Sequence, residues 1–476
     1  MNATAAAPAE ARDYQSDRAF LGHPRGLGYL SFAEAWERFS YYGMVTLLAL
    51  YGAKHLFQPA HIGNIWGFAP FRTFLEGMYG PLSPLTMGGA IAGLYGGIVY
   101  LTPIAGGVIA DRWIGRTRAV TTGAVLMAMG HFFMAFDQTF LIALACLLIG
   151  TGFFKGNIAA QVGDLYAPGD LRRADAFQIF MLGIQIAVIV SPIVCGFLGQ
   201  KIAWHFGFGA AGVGMLIGLI VYLSGRKWLP PEPRPVEGGI VEPRPGLAPG
   251  EGTRILVLAL LVPVLAFTAV GNQEIFAAYE LWGDANYQLS FFGWTMPVTF
   301  LISLDAIVST ITMAGSVAFW RWWATRWTEP NEITKLTIGT FIAALGPLAL
   351  AIASVQEAAT GQKVSLAWGL AFHILNDIGF ANIFPVGLAL YSRASPKAIG
   401  STMMAVYYIN LFLAGLIVSK LATYLNVLSG FQFWGLHFVL VAGAGVVLLI
   451  FRSLAGRLLA PTVDPEVEAG TAVEAA

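Results

Sequence analysis

Long apolar runs recur along the chain, near 28–52, 86–110, 119–137, 139–160, 175–199, 206–225, 255–280, 291–320, 336–354, 364–391, 399–419 and 431–451. A helix needs about 20 mostly apolar residues to cross the hydrocarbon core of a bilayer. Each run comes close to that length, so the pattern predicts twelve spanning helices. Between the sixth and seventh runs, KWLPPEPRPVEGGIVEPRPGLAPGEGTR (227–254) is rich in Pro, Glu and Gly and cannot span. It reads as a linker that divides the helices six and six.

Composition agrees. The 476 residues are 57% hydrophobic and 11% charged, with a mean hydropathy of +0.67, against roughly 45–50% apolar and about 25% charged in soluble domains. Lys and Arg balance Asp and Glu at 27 each, so no basic field exists to hold nucleic acid. Cys146 and Cys195 lie in apolar runs without a CxxC, which excludes a disulfide framework and a thiolate metal site. The first 20 residues lack the apolar core of a cleavable signal, so the first spanning helix is expected to be the targeting signal.

Positive residues favour the cytoplasmic side. With the N-terminus inside, twenty Lys and Arg fall on inner segments, among them Arg12, Arg234, Arg244, Lys397 and Arg457, and five on outer ones. The expected organisation is all-α: a cytoplasmic tail over 1–27, a six-helix bundle over 28–226, a cytoplasmic linker over 227–254, a second bundle over 255–451 and a cytoplasmic tail over 452–476. The expected location is the bacterial inner membrane, with the lipid bilayer as surroundings and a monomer as the functional unit.

Arg38 and Lys155 remain, inside helices. A charge at the bilayer centre costs about 2.5–3.5 kcal/mol on insertion scales, so it is rare and usually paired or facing a cavity. In the first helix Glu34, Glu37 and Arg38 stand at i, i+3 and i+4 on one face, and Tyr41 and Tyr42 continue that face. Lys155, on the fourth helix, has no acidic neighbour of its own, so its economical partner is the surplus carboxylate of the first. Such a set either fixes helix packing or relays protons, and two carboxylates with two cations are the usual equipment of a relay.

EAWERFSYYGM, GGVIADRWIGRTRAV, GTGFFKGNIAAQVGDLY and FPVGLALYSRASP resemble the signature segments of the proton-dependent oligopeptide transporter (POT/PTR) family of the major facilitator superfamily. The resemblance implies a twelve-helix, two-bundle transporter in which a proton gradient drives di- or tripeptide uptake by alternating access. It implies that Glu34, Glu37 and Arg38 couple protons, that Lys155 pairs with them and meets the peptide carboxylate, and that Tyr41, Tyr42 and Tyr100 line the pocket. DRWIGR, with Asp111, Arg112 and Arg116, resembles the superfamily's gating loop between helices 2 and 3; read alone, Asp111 beside Arg112 is also compatible with a solvated pair worth at most about 1 kcal/mol.

Several family positions are altered. The tenth-helix glutamate that receives the peptide amino terminus is Phe380 here, and the seventh-helix FWxxxEQ aligns with Phe267 to Gln273, placing Thr268 at the tryptophan and Asn272 at the glutamate. The eighth-helix SLNP reads Ser303, Leu304, Asp305, Ala306; the fifth-helix GIN ends in Gln185; the arginine after YYGM is Val45. Acid moves rather than disappears. His373, Asn376, Asp377 and Phe380 share one helical face, so Asp377 lies about 5 Å, one turn, from the lost glutamate. Glu274 follows Asn272 by two residues, and Asp305 is new. A zwitterion could place its carboxylate near Lys155 and Arg38 and its ammonium near Asp305 or Asp377. Asp377 could instead serve helix packing, and Glu280 reads as a solvated interfacial residue.

The stretch 53–84 is long for a loop and suggests an interfacial helix or a lid. His55 and His61 are six apart, off a common helical face, so no metal site is expected there. No Ser/His/Asp, HExxH or Cys/His pattern suggests an enzyme. The expected function is a cofactor-free symporter of di- or tripeptides or peptide-like solutes with the proton as coupling ion. A non-peptide organic acid or modified peptide, or a transporter-like sensor, are the alternatives.

Overall fold

A computed structural model describes residues 17–166, 170, 172–230, 250–396, 399–456 and 458–459. Most of both expected tails and of the linker, and Arg12, Arg234, Arg244, Lys397 and Arg457, lie outside the described residues. In chain order the helices are α1 (Arg25–Tyr51), α2 (Phe68–Tyr79), α3 (Pro84–Ile98), α4 (Thr102–Ile109), α5 (Arg116–Phe133), α6 (Phe140–Asp164), α7 (Arg172–Phe197) and α8 (Trp204–Gly225). They continue as α9 (Glu251–Thr268), α10 (Val270–Glu274), α11 (Ala278–Asn286), α12 (Phe300–Ala324), α13 (Glu332–Thr360), α14 (Leu366–Ala394), α15 (Gly400–Ala422) and α16 (Gly430–Ala455).

Among the described residues ten helices are long and apolar enough to cross a membrane. The two other expected spans, 28–52 and 119–137, are the helices α1 and α5, whose apolar character is diluted by Arg25, Glu34, Glu37 and Arg38 and by Arg116 and Arg118. All twelve apolar runs are thus helical, and the protein is an all-α, polytopic integral membrane protein. Their apolar residues face outward as well as inward; Ile220, on α8, is 63% exposed, as a lipid-facing surface requires.

The described residues fall into two compact units. One draws on Met1–Leu47, Asn64–Trp66 and Thr102–Val236, the other on Leu48–Gly63, Gly67–Leu101 and Glu237–Ala476. In the first, α4 packs on α6 so closely that a Cβ on Gly106 would lie 2.0 Å from the Gly152 carbonyl oxygen. In the second, α3 packs on α15, where a Cβ on Gly97 would lie 2.9 Å from the Phe412 carbonyl oxygen and 3.2 Å from the Gly415 Cα. Lipid is as apolar as leucine, so helix association in a membrane relies on such close backbone contact.

Three stretches differ from the sequence expectation; the second span, expected over 86–110, is interrupted at 99–101 between α3 and α4. The eighth span starts at Phe300 rather than 291, because Ser290–Phe291 and Trp294–Thr295 pair as an antiparallel hairpin. Its two turn residues, Phe292 and Gly293, have φ of 50° and 80°, the left-handed pair that a two-residue hairpin turn favours. The seventh span is longer than 255–280 and broken: α9 ends at Thr268, α10 at Glu274, and α11 carries the chain on to Asn286. Within 53–84 the chain forms a helix, α2, with Trp66 exposed just before it and Phe74 exposed on it.

The α3–α15 contact yields a paired test. Gly97→Ala should destabilise the protein by about 1–3 kcal/mol, the usual cost of overpacking. Gly96→Ala, whose Cβ meets nothing within 4 Å, should be neutral or slightly stabilising through helix propensity. Thermal unfolding of the detergent-purified variants separates them; equal melting temperatures would contradict the packing described.

Candidate functional site

In the first unit the charge sits on α1. Glu34, Glu37 and Arg38 are buried, with Arg38 Nε 3.1 Å from Glu34 Oε1 and 2.5 Å from Glu37 Oε2. The Arg38 guanidinium lies 5.4 Å from the centre of the Tyr41 ring, which meets Tyr42 edge-on at 5.1 Å. Lys155 of α6, half-buried, is within electrostatic reach of Glu34, Glu37 and Arg38. The structure therefore brings together the four charges that the sequence grouped. They sum to zero, which low dielectric demands. Yet Glu34 Oε2, Glu37 Oε1 and Arg38 Nη2 are buried without a hydrogen bond, so the set retains capacity for a proton or a polar ligand. Gln185 is half-buried on α7, the helix whose Gly183 passes within 3.5 Å, measured from a built Cβ, of Ser31 and Ala35 on α1.

The helical turn Ala110–Ile114, the first residue of α5 and the end of α6 carry a second charge set in the same unit. Arg116 Nη1 lies 2.7 Å from Asp164 Oδ2, and its Nε 3.5 Å from Asp111 Oδ1. Arg112 and Asp111 are exposed. Asp164, at the end of α6, was not singled out from the sequence; its signal was its place in the GDLY that closes the fourth-helix motif.

In the second unit, α11, α12 and α14 build a polar cluster. His373 on α14 is fully buried, with Nδ1 2.8 Å from Asp305 Oδ1 of α12 and Nε2 2.9 Å from the Tyr279 hydroxyl of α11. Asp305 accepts, so Nδ1 donates; in the neutral ring Nε2 then accepts from Tyr279. Asp377, one turn along α14, accepts from the Asn376 side-chain amide at 3.2 Å through Oδ1, while its buried Oδ2 has no hydrogen bond. Asp305, His373 and Asp377 bring one ligand-type atom each within 4.8 Å of the others. Two carboxylates so close cannot both stay ionised in a dry interior without a shared proton or cation. His373 already commits both nitrogens, which favours the proton over a metal ion.

Asn376 reaches its place because α10 offers Gly271 there, where a Cβ would meet Asn376 Oδ1 at 2.5 Å. Asn272 is half-buried on α10. Phe380, where the sequence loses its glutamate, stacks on Phe384 with centroids 5.5 Å apart. Tyr100, in the turn between α3 and α4, packs with Phe384 on Ala266, Ala269, Leu411 and Ala414. Glu274 does not join the Asp305 cluster: Oε1 accepts from the Ala278 amide at 3.1 Å, and Oε2 lies 3.3 Å from His437 Nε2.

Two expectations are corrected. Glu280 is buried rather than solvated, with neither oxygen hydrogen-bonded; the more exposed acid of α11 is Asp284, one turn further on and paired with Lys54. His55 and His61 come together, with ring centres 4.0 Å apart, because the chain leaves helical geometry after Leu56 and folds back. Sequence reasoning also gave no role to His373, Tyr279 or His437. A histidine four residues from Asp377 on one face was the available signal for the first.

Buried charge on a frame of twelve apolar helical runs defines a polytopic membrane protein of the major facilitator fold. Residues 117–240 match the family model described as POT family. The uncharacterised transporter YclF of Bacillus subtilis is 27% identical over 496 aligned positions, which take in 91% of this chain and 94% of that protein. The peptide transporter YePEPT of Yersinia enterocolitica is 26% identical over 460, covering 82% of this chain and 86% of its own. A crystal structure of a peptide transporter POT in complex with sulfate superposes with a TM-score of 0.79 at 25% identity, over 94% of this chain and 99% of that one. The resemblance read from the motifs of the first and fourth helices holds.

Because His373 serves two partners, His373→Phe strips one hydrogen bond from Asp305 and one from the Tyr279 hydroxyl, which keeps only a 3.5 Å contact with Tyr287, and should destabilise the protein by about 1–3 kcal/mol for each bond lost at a buried group. Thermal unfolding checks this. A melting temperature equal to that of the wild type would remove His373 from the cluster's support.

Proposed function

We propose that this protein is a proton-coupled symporter that imports di- or tripeptides, or closely peptide-like solutes, by alternating access. It works as a monomer in the bacterial inner membrane, with both termini cytoplasmic and the proton as its sole coupling partner. The observation that carries this reading is the charge-balanced set of buried Glu34, Glu37 and Arg38 with half-buried Lys155, in which polar atoms of the first three are left unsatisfied. A proton on Glu37 neutralises its carboxylate and releases Arg38 from that pair. Arg38 and Lys155 then suit the carboxylate end of a peptide, a planar acceptor that a guanidinium grips well. In the second unit Asp305 and Asp377 suit the ammonium end, with Asn272 and Asn376 as candidate partners for backbone amides and Tyr100 as a candidate wall; Gln185, Tyr41 and Tyr42 are the corresponding candidates of the first unit. The Asp111–Arg116–Asp164 ion pairs act as a latch remade in each transport cycle. The peptide transporter of Yersinia supports the peptide class by its relatedness.

Phe380 stacked on Phe384 favours a second reading, in which the solute lacks a free amino group, as a modified peptide or an organic acid does. A ring face attracts an ammonium only weakly, by about 0.5–1 kcal/mol where exposed.

Glu37→Gln keeps the shape and cannot carry the proton, so gradient-driven accumulation in proteoliposomes should vanish while some counterflow exchange survives. Full gradient-driven transport by the variant would sink the coupling role. Lys155→Ala should fail more severely, because a carboxylate left without its cation in low dielectric costs about 3–5 kcal/mol.

Asp305→Asn or Asp377→Asn, whichever holds the ammonium, should weaken free dipeptides far more than N-acetylated ones. Truncating one partner of a buried charge pair costs about 2–5 kcal/mol, or more than about tenfold in affinity at 1.4 kcal/mol per decade. Equal losses for both ligand classes would refute the ammonium role. If dipeptides neither stabilise the purified protein nor compete for uptake while an amino-free acid does both, the second reading stands in place of the first.

A further inference from the structure

Glu274 closes α10 at the break in the seventh span, and its side chain is fully buried against that of His437 on α16. His437 Nδ1 lies 2.8 Å from the Phe433 carbonyl oxygen, one turn back on its own helix. A carbonyl can only accept, so Nδ1 carries the hydrogen. That fixes the tautomer: in a neutral ring Nε2 is bare and can only accept. Nε2 faces Glu274 Oε2 at 3.3 Å, and neither atom makes a hydrogen bond.

An ionised Glu274 opposite a neutral His437 would therefore set lone pair against lone pair, with one uncompensated negative charge in a dry interior. Such a state is strongly disfavoured. One proton removes the conflict. On Oε2 it gives a carboxylic acid donating to the ring; on Nε2 it gives an imidazolium paired with a carboxylate. Both states are neutral overall, and both need that one proton.

The neighbouring titratable groups do not offer another solution. On the elements packed around α10 and α16 they are Tyr279, Glu280 and Asp284 of α11, His373, Asp377 and Tyr391 of α14, Tyr95 of α3, Tyr407 and Tyr408 of α15, Glu251 of α9, and Glu332 and Glu357 of α13. None is a permanent cation, and the Lys and Arg residues of α9, α13, α14, α15 and α16 stand at those helices' ends. The indole of Trp434 packs 5.2 Å from the His437 ring and 6.2 Å from that of Tyr279, so an aromatic wall lies between this pair and the Asp305–His373–Asp377 cluster.

We infer that Glu274 and His437 bind one transported proton between them, as a coupling site additional to the carboxylates of α1. This rests on the symporter reading above. Release passes the proton from Oε2 or Nε2 to water and leaves a carboxylate and a neutral ring, which only hydration makes tolerable. Loading and unloading therefore follow wetting of the break between α10 and α11.

Two measurements test the site. The first needs no substrate: infrared difference spectra of purified wild type minus Glu274→Gln, with isotope-labelled histidine, at neutral pH. A protonated-carboxyl band from Glu274, or an imidazolium signature from His437, is the expected result. A carboxylate band with a neutral ring would overturn the inference whatever the transported solute is. The second is the proton-to-substrate ratio for dialanine, taken from the reversal potential in proteoliposomes. His437→Gln should carry one proton fewer per substrate than the wild type, with counterflow still measurable; an unchanged ratio overturns the site. If His437→Gln shows no counterflow, Glu274→Gln is measured instead, since glutamine retains an oxygen to accept from Ala278. Loss of counterflow in both variants assigns the pair to structure and overturns the proton role.

Discussion

A carboxylate inside a membrane protein cannot keep its charge alone. In low dielectric the attraction that water would supply has to come from a fixed cation, a hydrogen-bond donor or a proton. Three buried acid groupings meet that demand in different ways. Glu34 and Glu37 are offset by Arg38 and Lys155. Asp305 leans on His373 beside Asp377, and Glu274 faces His437 with a backbone amide on its other oxygen. Among the described residues only the first grouping holds permanent cations; the other two rest on a histidine each. The distribution of charge thus already divides the chain into a part suited to anions and a part suited to protons and cations.

The frame keeps these groups dry. Glycines at 106 and 152 in one unit, and at 97 and 415 in the other, let backbones approach at distances that any side chain would forbid. Breaks occur where polar chemistry needs them. The seventh span is interrupted on both sides of α10, and this short segment carries Gly271, which admits Asn376, together with Asn272 and Glu274. Irregular backbone at membrane depth is tolerated where it is enclosed by protein or lines a cavity. It also lets Glu274 cap α11 and face α16 at once, which an unbroken helix would not permit.

The apolar runs made the helices legible, because lipid imposes a length and a composition on every span. The α1 charge set was legible for the same reason: helical spacing put Glu34, Glu37 and Arg38 on one face, and scarcity made Lys155 their partner. Local backbone chemistry hid the rest. The hairpin at 290–295 reads as an apolar run because Phe291, Phe292 and Trp294 dominate it, and only Gly293 hints at the turn. Glu280 looked interfacial beside Trp282 and Asp284, yet one turn of helix separates it from the ion-paired Asp284. The pairing of Glu274 with His437 joins residues 163 positions apart, and no periodicity in the chain encodes a contact of that kind.

The central claim is that protonation of buried carboxylates drives uptake of a zwitterionic peptide. Its most direct test is dialanine accumulation in proteoliposomes of the wild-type protein under an inward proton gradient, with and without a protonophore. The account predicts accumulation above the external concentration that collapses to equilibration when the protonophore is added. Accumulation indifferent to the protonophore, or the absence of any dialanine accumulation under the gradient, would contradict it.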